Sequence, residues 1–457
     1  MKYLLAIAGF TLSSVLFAAN TKNPDDPQTP ETHATKSVID QLDAQQESID
    51  QLREQIIELQ AESNTDITGT SDSPGKLSFS GYGVINYLQY DFIANTQDTD
   101  PERRASTDVE RVVLVTHYRF SDSVFMDLEL EVEHGGTGAT IEYEPEEFGE
   151  YEIEIEKGGE IVIEQFSLTI LQSTAINWRF GHIIVPFGMV NRYHHPTEYF
   201  TTHRSLTETS LFPVVWHETG IALFGSLDKF DYQFLLVTGL DSSRFNSYHF
   251  VGDGLQGNLE FSNADSPAVV AAFNYNPFLG LNIGGSIYYG ETAQNRPNQN
   301  VSVDAYLTLF EAHLRYQRGA WIVRTEWITG SLENSDKLTT GNQNSVNAGE
   351  LGISSTAVPH GAEGFFIEAG YDFNQLTNNC IGRPLFGFVR YDDFDPLAKI
   401  EGNIIDIPRY DQTATTIGLN YLYLTGVAFK TQFTRLKNSG TTVNQQDLFS
   451  IGMGLEF

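Results

Sequence analysis

The stretch from Asp447 to Phe457 reads DLFSIGMGLEF. In an extended chain successive side chains point to opposite sides, so Phe449, Ile451, Met453, Leu455 and Phe457 share one face and Ser450, Gly452, Gly454 and Glu456 the other. A soluble strand this apolar on one face is a template for aggregation unless something covers it. A bilayer covers it: about ten alternating residues, tilted, cross the hydrocarbon core, and closure into a barrel satisfies the backbone there. The competing reading of this stretch alone is an ordinary sandwich strand.

The other end of the chain favours the membrane. Lys2, the apolar run from Tyr3 to Phe17 and the small residues Ala18 and Ala19 predict a secretory signal peptide over residues 1–19, too short for a spanning helix of about 20 residues. No cysteine follows that run, which excludes a lipoprotein anchor, and the single Cys380 excludes an intramolecular disulfide. Export without disulfides suits a Gram-negative envelope. No later segment offers 18 consecutive apolar residues, which argues against a helical membrane protein. Hydrophobic residues reach only 40%, yet there are 31 Phe and 21 Tyr. A transmembrane barrel accounts for both, because alternate residues face a polar interior and aromatics form girdles at the two interfaces. The net charge of −33, from 60 acidic against 27 basic residues, excludes nucleic acid as a natural partner; it also fits a salty habitat.

Between these ends the organisation changes three times. Residues 20–36, with Pro24, Pro27 and Pro30, form a flexible linker. Across residues 37–62, Val38, Leu42, Gln45, Ile49, Leu52, Ile56 and Leu59 follow alternating steps of four and three, a heptad seam that predicts a coiled-coil helix. About three heptads are marginal alone, so the helix assembles where barrels bring copies together, or else lies as a lone amphipathic helix on its own barrel. Residues 63–75 form a second link, and 76–457 hold about sixteen strand-like runs. Short turns join them in pairs at residues 120–123, 171–175, 226–229, 276–280, 317–320, 374–382 and 424–426, with longer connections between pairs. This predicts an all-β transmembrane fold: an antiparallel outer-membrane β-barrel of about sixteen strands, with its short turns and the N-terminal coiled-coil helix in the periplasm.

The connection from Ile183 to Trp216 is too apolar for a solvated loop, with Val185, Pro186, Phe187, Phe200 and Phe212. Inside a wide barrel such a segment folds into the pore, narrows it and supplies the groups a solute meets. Candidate constriction residues are Arg179, Arg192, His194, His195, Glu198, His203, Arg204 and Glu208, flanked by His182, His217 and Glu218. The same histidines and Glu198 could instead hold a transition metal, or serve a hydrolase with Ser205 or Ser210, although no diagnostic spacing such as HExxH is present.

Four stretches, LELEVEHGG (Leu128 to Gly136), EQFSLTI (Glu164 to Ile170), RFGHIIVPFGM (Arg179 to Met189) and HETGIALFG (His217 to Gly225), carry a resemblance. They are similar to the phosphate-selective porin O/P family of trimeric, sixteen-stranded outer-membrane porins, with Arg179, Gly181, Pro186, Phe187 and Gly220 at the matching positions. The resemblance implies a homotrimer, a short periplasmic coiled coil and a diffusion channel. A terminal strand ending on an aromatic residue resembles the signal by which the barrel-assembly machinery recognises such chains, which puts Phe457 in that role.

The charge pattern departs from that family, whose phosphate selectivity depends on ladders of basic residues. From Glu129 to Glu164 there are thirteen glutamates and one basic residue, Lys157. Glu129, Glu131 and Glu133, then Glu150, Glu152, Glu154 and Glu156, alternate with apolar residues and lead to Glu164. They either line the pore, attracting cations over a Debye length of about 8 Å, or stand on the extracellular rim and bind divalent ions that bridge lipopolysaccharide. Further along, Glu311 and Glu326 are expected as acidic lumen residues and Arg315, Arg324 and Arg390 as basic ones. The expected function is passive diffusion of small polar or ionic solutes, with cation preference and without enzymatic chemistry or a cofactor. The rivals are a structural barrel tethered through its coiled coil, and a metal-binding or hydrolytic barrel.

Overall fold

The computed structural model describes residues 76–92, 101–136, 141–143, 153–155, 160–256, 262–297, 301–344, 356–377, 379–440 and 444–457. The expected signal peptide, both linkers and the coiled-coil helix lie outside the described residues, as do Glu150, Glu152 and Glu156.

Sixteen strands form one closed antiparallel sheet. They are β1 (Lys76–Phe92), β2 (Glu102–Ser121), β3 (Val124–Glu133), β6 (Glu160–Leu171), β7 (Asn177–Ile184), β8 (His217–Leu227), β9 (Phe230–Thr238), β10 (Pro267–Phe278), β11 (Leu281–Glu291), β12 (Tyr306–Arg318), β13 (Trp321–Leu332), β14 (Gly361–Asp372), β15 (Leu385–Lys399), β16 (Gln412–Leu424), β17 (Val427–Asn438) and β18 (Gln445–Glu456). Within the acidic segment, β4 (Ile141–Tyr143) and β5 (Ile153–Ile155) make a separate two-stranded ribbon. The expected count of sixteen therefore holds, and all seven short turns join the strands they were assigned to. Strand β18 closes the ring on β1, where Phe457 and Gly81 exchange backbone hydrogen bonds of 2.9 Å in both directions.

Alternation decides which face each side chain takes. Phe79, Leu236, Ile417 and Ile451 point outward and are about half exposed, giving the sheet an apolar exterior. Water would penalise that belt by roughly 25 cal/mol per Å², so the fold suits a lipid surround. Near the short turns, aromatic rings gather as pairs: Phe230 with Tyr275, Trp321 with Tyr371 and Tyr423 with Phe429. They form a girdle at that rim.

The interior differs from the uniformly polar lumen that sequence alternation predicts. Leu235, Val237, Val270, Leu307, Leu309 and Ile328 point inward and are buried. Against them pack Val185, Phe187, Phe212 and Trp216 of the inward connection, together with Leu240, Phe250 and Leu338 from other long connections. This apolar core fills the lumen beside β9 to β13, and a second, smaller cluster joins Phe200, Ile322 and Phe388.

Candidate functional site

The segment between β7 and β8 runs through the barrel and is fastened to wall after wall. A helical turn, Met189–Arg192, offers the Met189 N–H to Glu326 Oε1 of β13 at 2.8 Å. His195 and Thr197 both reach the carboxylate of Glu456 on β18, at 3.0 and 2.5 Å. Arg324 donates to the Glu198 carbonyl, and Lys430 of β17 donates to the carbonyls of Tyr199 and Thr201 at 2.9 Å each. Thr202 N–H bonds Gln432, and Ser205 both caps the turn Leu206–Thr209 and donates to Asp392 of β15 at 3.3 Å. Buried backbone groups need partners, and here the barrel's polar inner face supplies them.

Small residues on the wall make room. A side chain at Gly454 of β18 would place its Cβ 2.8 Å from Pro196, and one at Gly370 of β14 would collide with the Phe200 ring. The polar face of the terminal strand is thus a seat for the inward segment.

Beside this segment lies a chamber of about 550 Å³. Its wall carries Glu110, Arg111, Glu131, Glu133, Glu164 and Glu218; the inward segment contributes His203 and Arg204. Arg111 pairs with three carboxylates, Glu131 at 2.8 Å and Glu110 and Glu133 at 3.1 Å. Burial of such pairs is costly unless each partner is satisfied, and this guanidinium binds its three acids into one unit. His203 meets Glu110 at 3.4 Å, while His182 and His217 hydrogen-bond each other at 2.6 Å. Glu218 accepts from Trp216 Nε1 at 3.2 Å and from the Thr238 hydroxyl. At the outer side, Asp253 contacts Asn246 and His249; burial alone would raise its carboxyl pKa, but these partners and Arg244 hold it below the usual range.

Two β-bulges aim this wall. Val84 of β1 faces Arg111 while Ile85 faces Val109, so Glu110 is an extra residue in β2. Glu129 faces Gln165 while Leu130 faces Ile163, so Glu164 is extra in β6. Each bulge breaks the period of two and turns an additional charged side chain inward. Glu110 and Arg111 were missed by sequence reasoning for that reason: strict alternation cannot send two adjacent residues to one face.

The remaining predicted residues take distinct places. Glu129 lies 3.8 Å from His194, which also bonds the Asn191 carbonyl at 3.3 Å. Glu311 bonds His313 at 2.5 Å, Arg315 covers the Tyr193 ring, and the carboxyl of Glu208 meets that of Glu326. Arg324 pairs with Glu368 at 2.6 Å and Arg390 with Asp392 at 3.0 Å. Arg179 points inward to Thr169 on β6, and Arg192 is half-buried at the end of its turn. Glu154 belongs to the β4–β5 ribbon. His194, His195 and His203 have separate partners, and no group of three potential metal ligands converges among the described residues.

The chain is similar in structure to OmpF of Salmonella typhi, solved in complex with daunomycin, with a TM-score of 0.52 and 10% identity, covering 85% of this chain and 100% of that one. It is likewise similar to the outer membrane channel DcaP of Acinetobacter baumannii, with a TM-score of 0.51, 10% identity and coverage of 85% and 99%. The fold is that of a porin-like barrel. A relative in Aquifex aeolicus (strain VF5), itself described as uncharacterized, is 24% identical over 362 residues, which are 79% of this chain and 75% of that one. No family profile matches the chain.

Proposed function

We propose that this porin-like barrel is an outer-membrane channel for passive diffusion of small polar or ionic solutes, preferring cations. The observation that carries the reading is the charged chamber of about 550 Å³ beside a segment folded into a closed, outwardly apolar barrel. Carboxylates outnumber free guanidinium groups on its wall, because Arg111 is already shared by three acids. A low-dielectric wall concentrates that field and raises the local cation concentration. Glu129, Glu131, Glu133 and Glu164 are the cation-side groups in this reading, and Arg179, Arg204 and Arg315 the anion-side contacts.

Kinship with the phosphate-selective porin O/P family is supported by the motifs from Leu128 to Gly225 and opposed by charge, since Arg324 and Arg390 are neutralised by Glu368 and Asp392. A homotrimer, the periplasmic coiled coil from 37 to 62, delivery through the aromatic Phe457, and lipopolysaccharide contacts by the acidic ribbon belong to the same proposal.

Filling of part of the lumen by apolar side chains favours a second reading, a barrel that anchors a tether and conducts little. Planar bilayers holding purified protein under a salt gradient separate the two. A steady conductance with a cation-side reversal potential supports the channel; an anion-side potential removes the cation preference, and absence of conductance favours the tether.

A further inference from the structure

We propose that the chamber binds a small zwitterion, of the class of short α-amino acids, with its carboxylate on Arg204 and its ammonium at Glu164. This rests on the channel reading and names the solute class.

A guanidinium and a carboxyl group face this chamber, each with open hydrogen-bonding atoms and neither bonded to the other. Arg204 is 7% exposed, and its Nε and Nη2 atoms have no hydrogen-bonding partner in the protein. Glu164 is 1% exposed and shares a hydrogen bond with the Glu131 carboxyl, while its Oε2 has no partner. Both line the chamber, and Arg204 acts electrostatically on Glu164, Glu133 and Glu110. No ion pair joins it to any of them among the described residues. Opposite charges that could touch in a low-dielectric site would do so.

Their separation is built in. Arg204 sits between His203, held by Glu110, and Ser205, held by Asp392. Glu164 is the extra residue of a bulge in a barrel strand, so its position is set by the β3 pairings of Ile163 and Gln165 on either side of it. Arg111 is engaged by three acids at its Nη atoms, and Glu218 and Asp253 by hydrogen bonds. Among the described lining residues, Arg204 leaves two N–H groups open on a guanidinium whose fork geometry suits a carboxylate, and Glu164 leaves one carboxyl oxygen open. Glu131 stands beside Glu164 and adds a second carboxyl group that can accept from an ammonium. His203 Nε2, also without a partner, extends the anion side. The chamber exceeds the volume of a small amino acid, so the solute is held loosely, which release from a channel requires.

Calorimetry on the full-length protein in detergent tests the assignment with four probes of matched size: L-alanine, propionate, propylamine and propionamide, at pH 7 and constant ionic strength. The expected result is saturable alanine binding at least tenfold tighter than that of the other three. Arg204→Gln and Glu164→Gln should each weaken alanine binding at least tenfold, whereas Arg204→Lys, which keeps the charge, should retain most of it. Circular dichroism on each variant checks the barrel, and the second site keeps the test alive should one variant fail to fold. Equal affinity for all four probes, or unaltered alanine binding in folded Gln variants, overturns the proposal. Conductance without alanine discrimination removes the binding site alone; alanine binding without conductance removes the channel reading and leaves the site.

Discussion

At the scale of single residues, the chamber's charges divide into those locked in units and those left open. Arg111 is the hub of the first kind, and Arg111→Met would strip Glu131 and Glu133 of their ion-pair partner and leave Glu110 with His203 alone. Removing one partner from a buried pair costs about 3 kcal/mol or more. Urea unfolding in micelles should therefore shift to lower denaturant, and the reversal potential of surviving channels should move further to the cation side. Asp253 makes a pH prediction with a definite sign. Its folded pKa is depressed below the ordinary carboxylate value of about 3.9, so its contribution is complete above that value and lost as pH falls through the lower folded one. Proteolysis of the segment around Asn246 to Asp253 should rise on acidification in the native protein, and Asp253→Asn should show the higher rate at every pH. Identical pH profiles would refute the assignment. That Glu129, Glu131 and Glu133 share one face of β3 was legible from their strict alternation with Leu128, Leu130 and Val132, whereas the choice between pore and rim was not. Glu110 and Arg111 were illegible, because a bulge is set by the partner strand and leaves no mark in a single sequence.

At the scale of elements, the inward segment and the terminal strand fit each other. The apolar composition of residues 185 to 216 foretold that the segment is buried, and His195, Thr197 and Thr202 show what fastens it. Gly454→Leu tests the seat, since its new side chain would enter space occupied by Pro196. The strand has no reason to unfold, as its backbone ladder with β17 and β1 is unaffected. The expected outcome is a folded barrel with a displaced segment, read as altered single-channel conductance and new protease sites between Tyr193 and Thr202. Wild-type conductance together with a wild-type cleavage pattern would show that the seat does not matter.

At the scale of the whole molecule, a barrel of sixteen strands is wide enough for an aqueous lumen, yet much of this one is filled by its own connections. Conductance should accordingly be small for the strand number. Replacing residues 190–212 by a short glycine-serine linker should raise it severalfold, measured in bilayers; an unchanged value would mean that the apolar core beside β9 to β13, not the inward segment, limits flow. The sequence by itself determined the closed barrel, its strand pairing, its outward apolar face and the presence of a buried connection. Those follow from local periodicity and turn chemistry, which a chain carries in neighbouring residues. Only the tertiary structure decided that an apolar core fills part of the lumen, that two bulges turn Glu110 and Glu164 inward, and that Arg204 and Glu164 line one chamber without an ion pair between them. Each of these depends on which distant strands and connections meet across the barrel, and the period of two carries no information about distance through space.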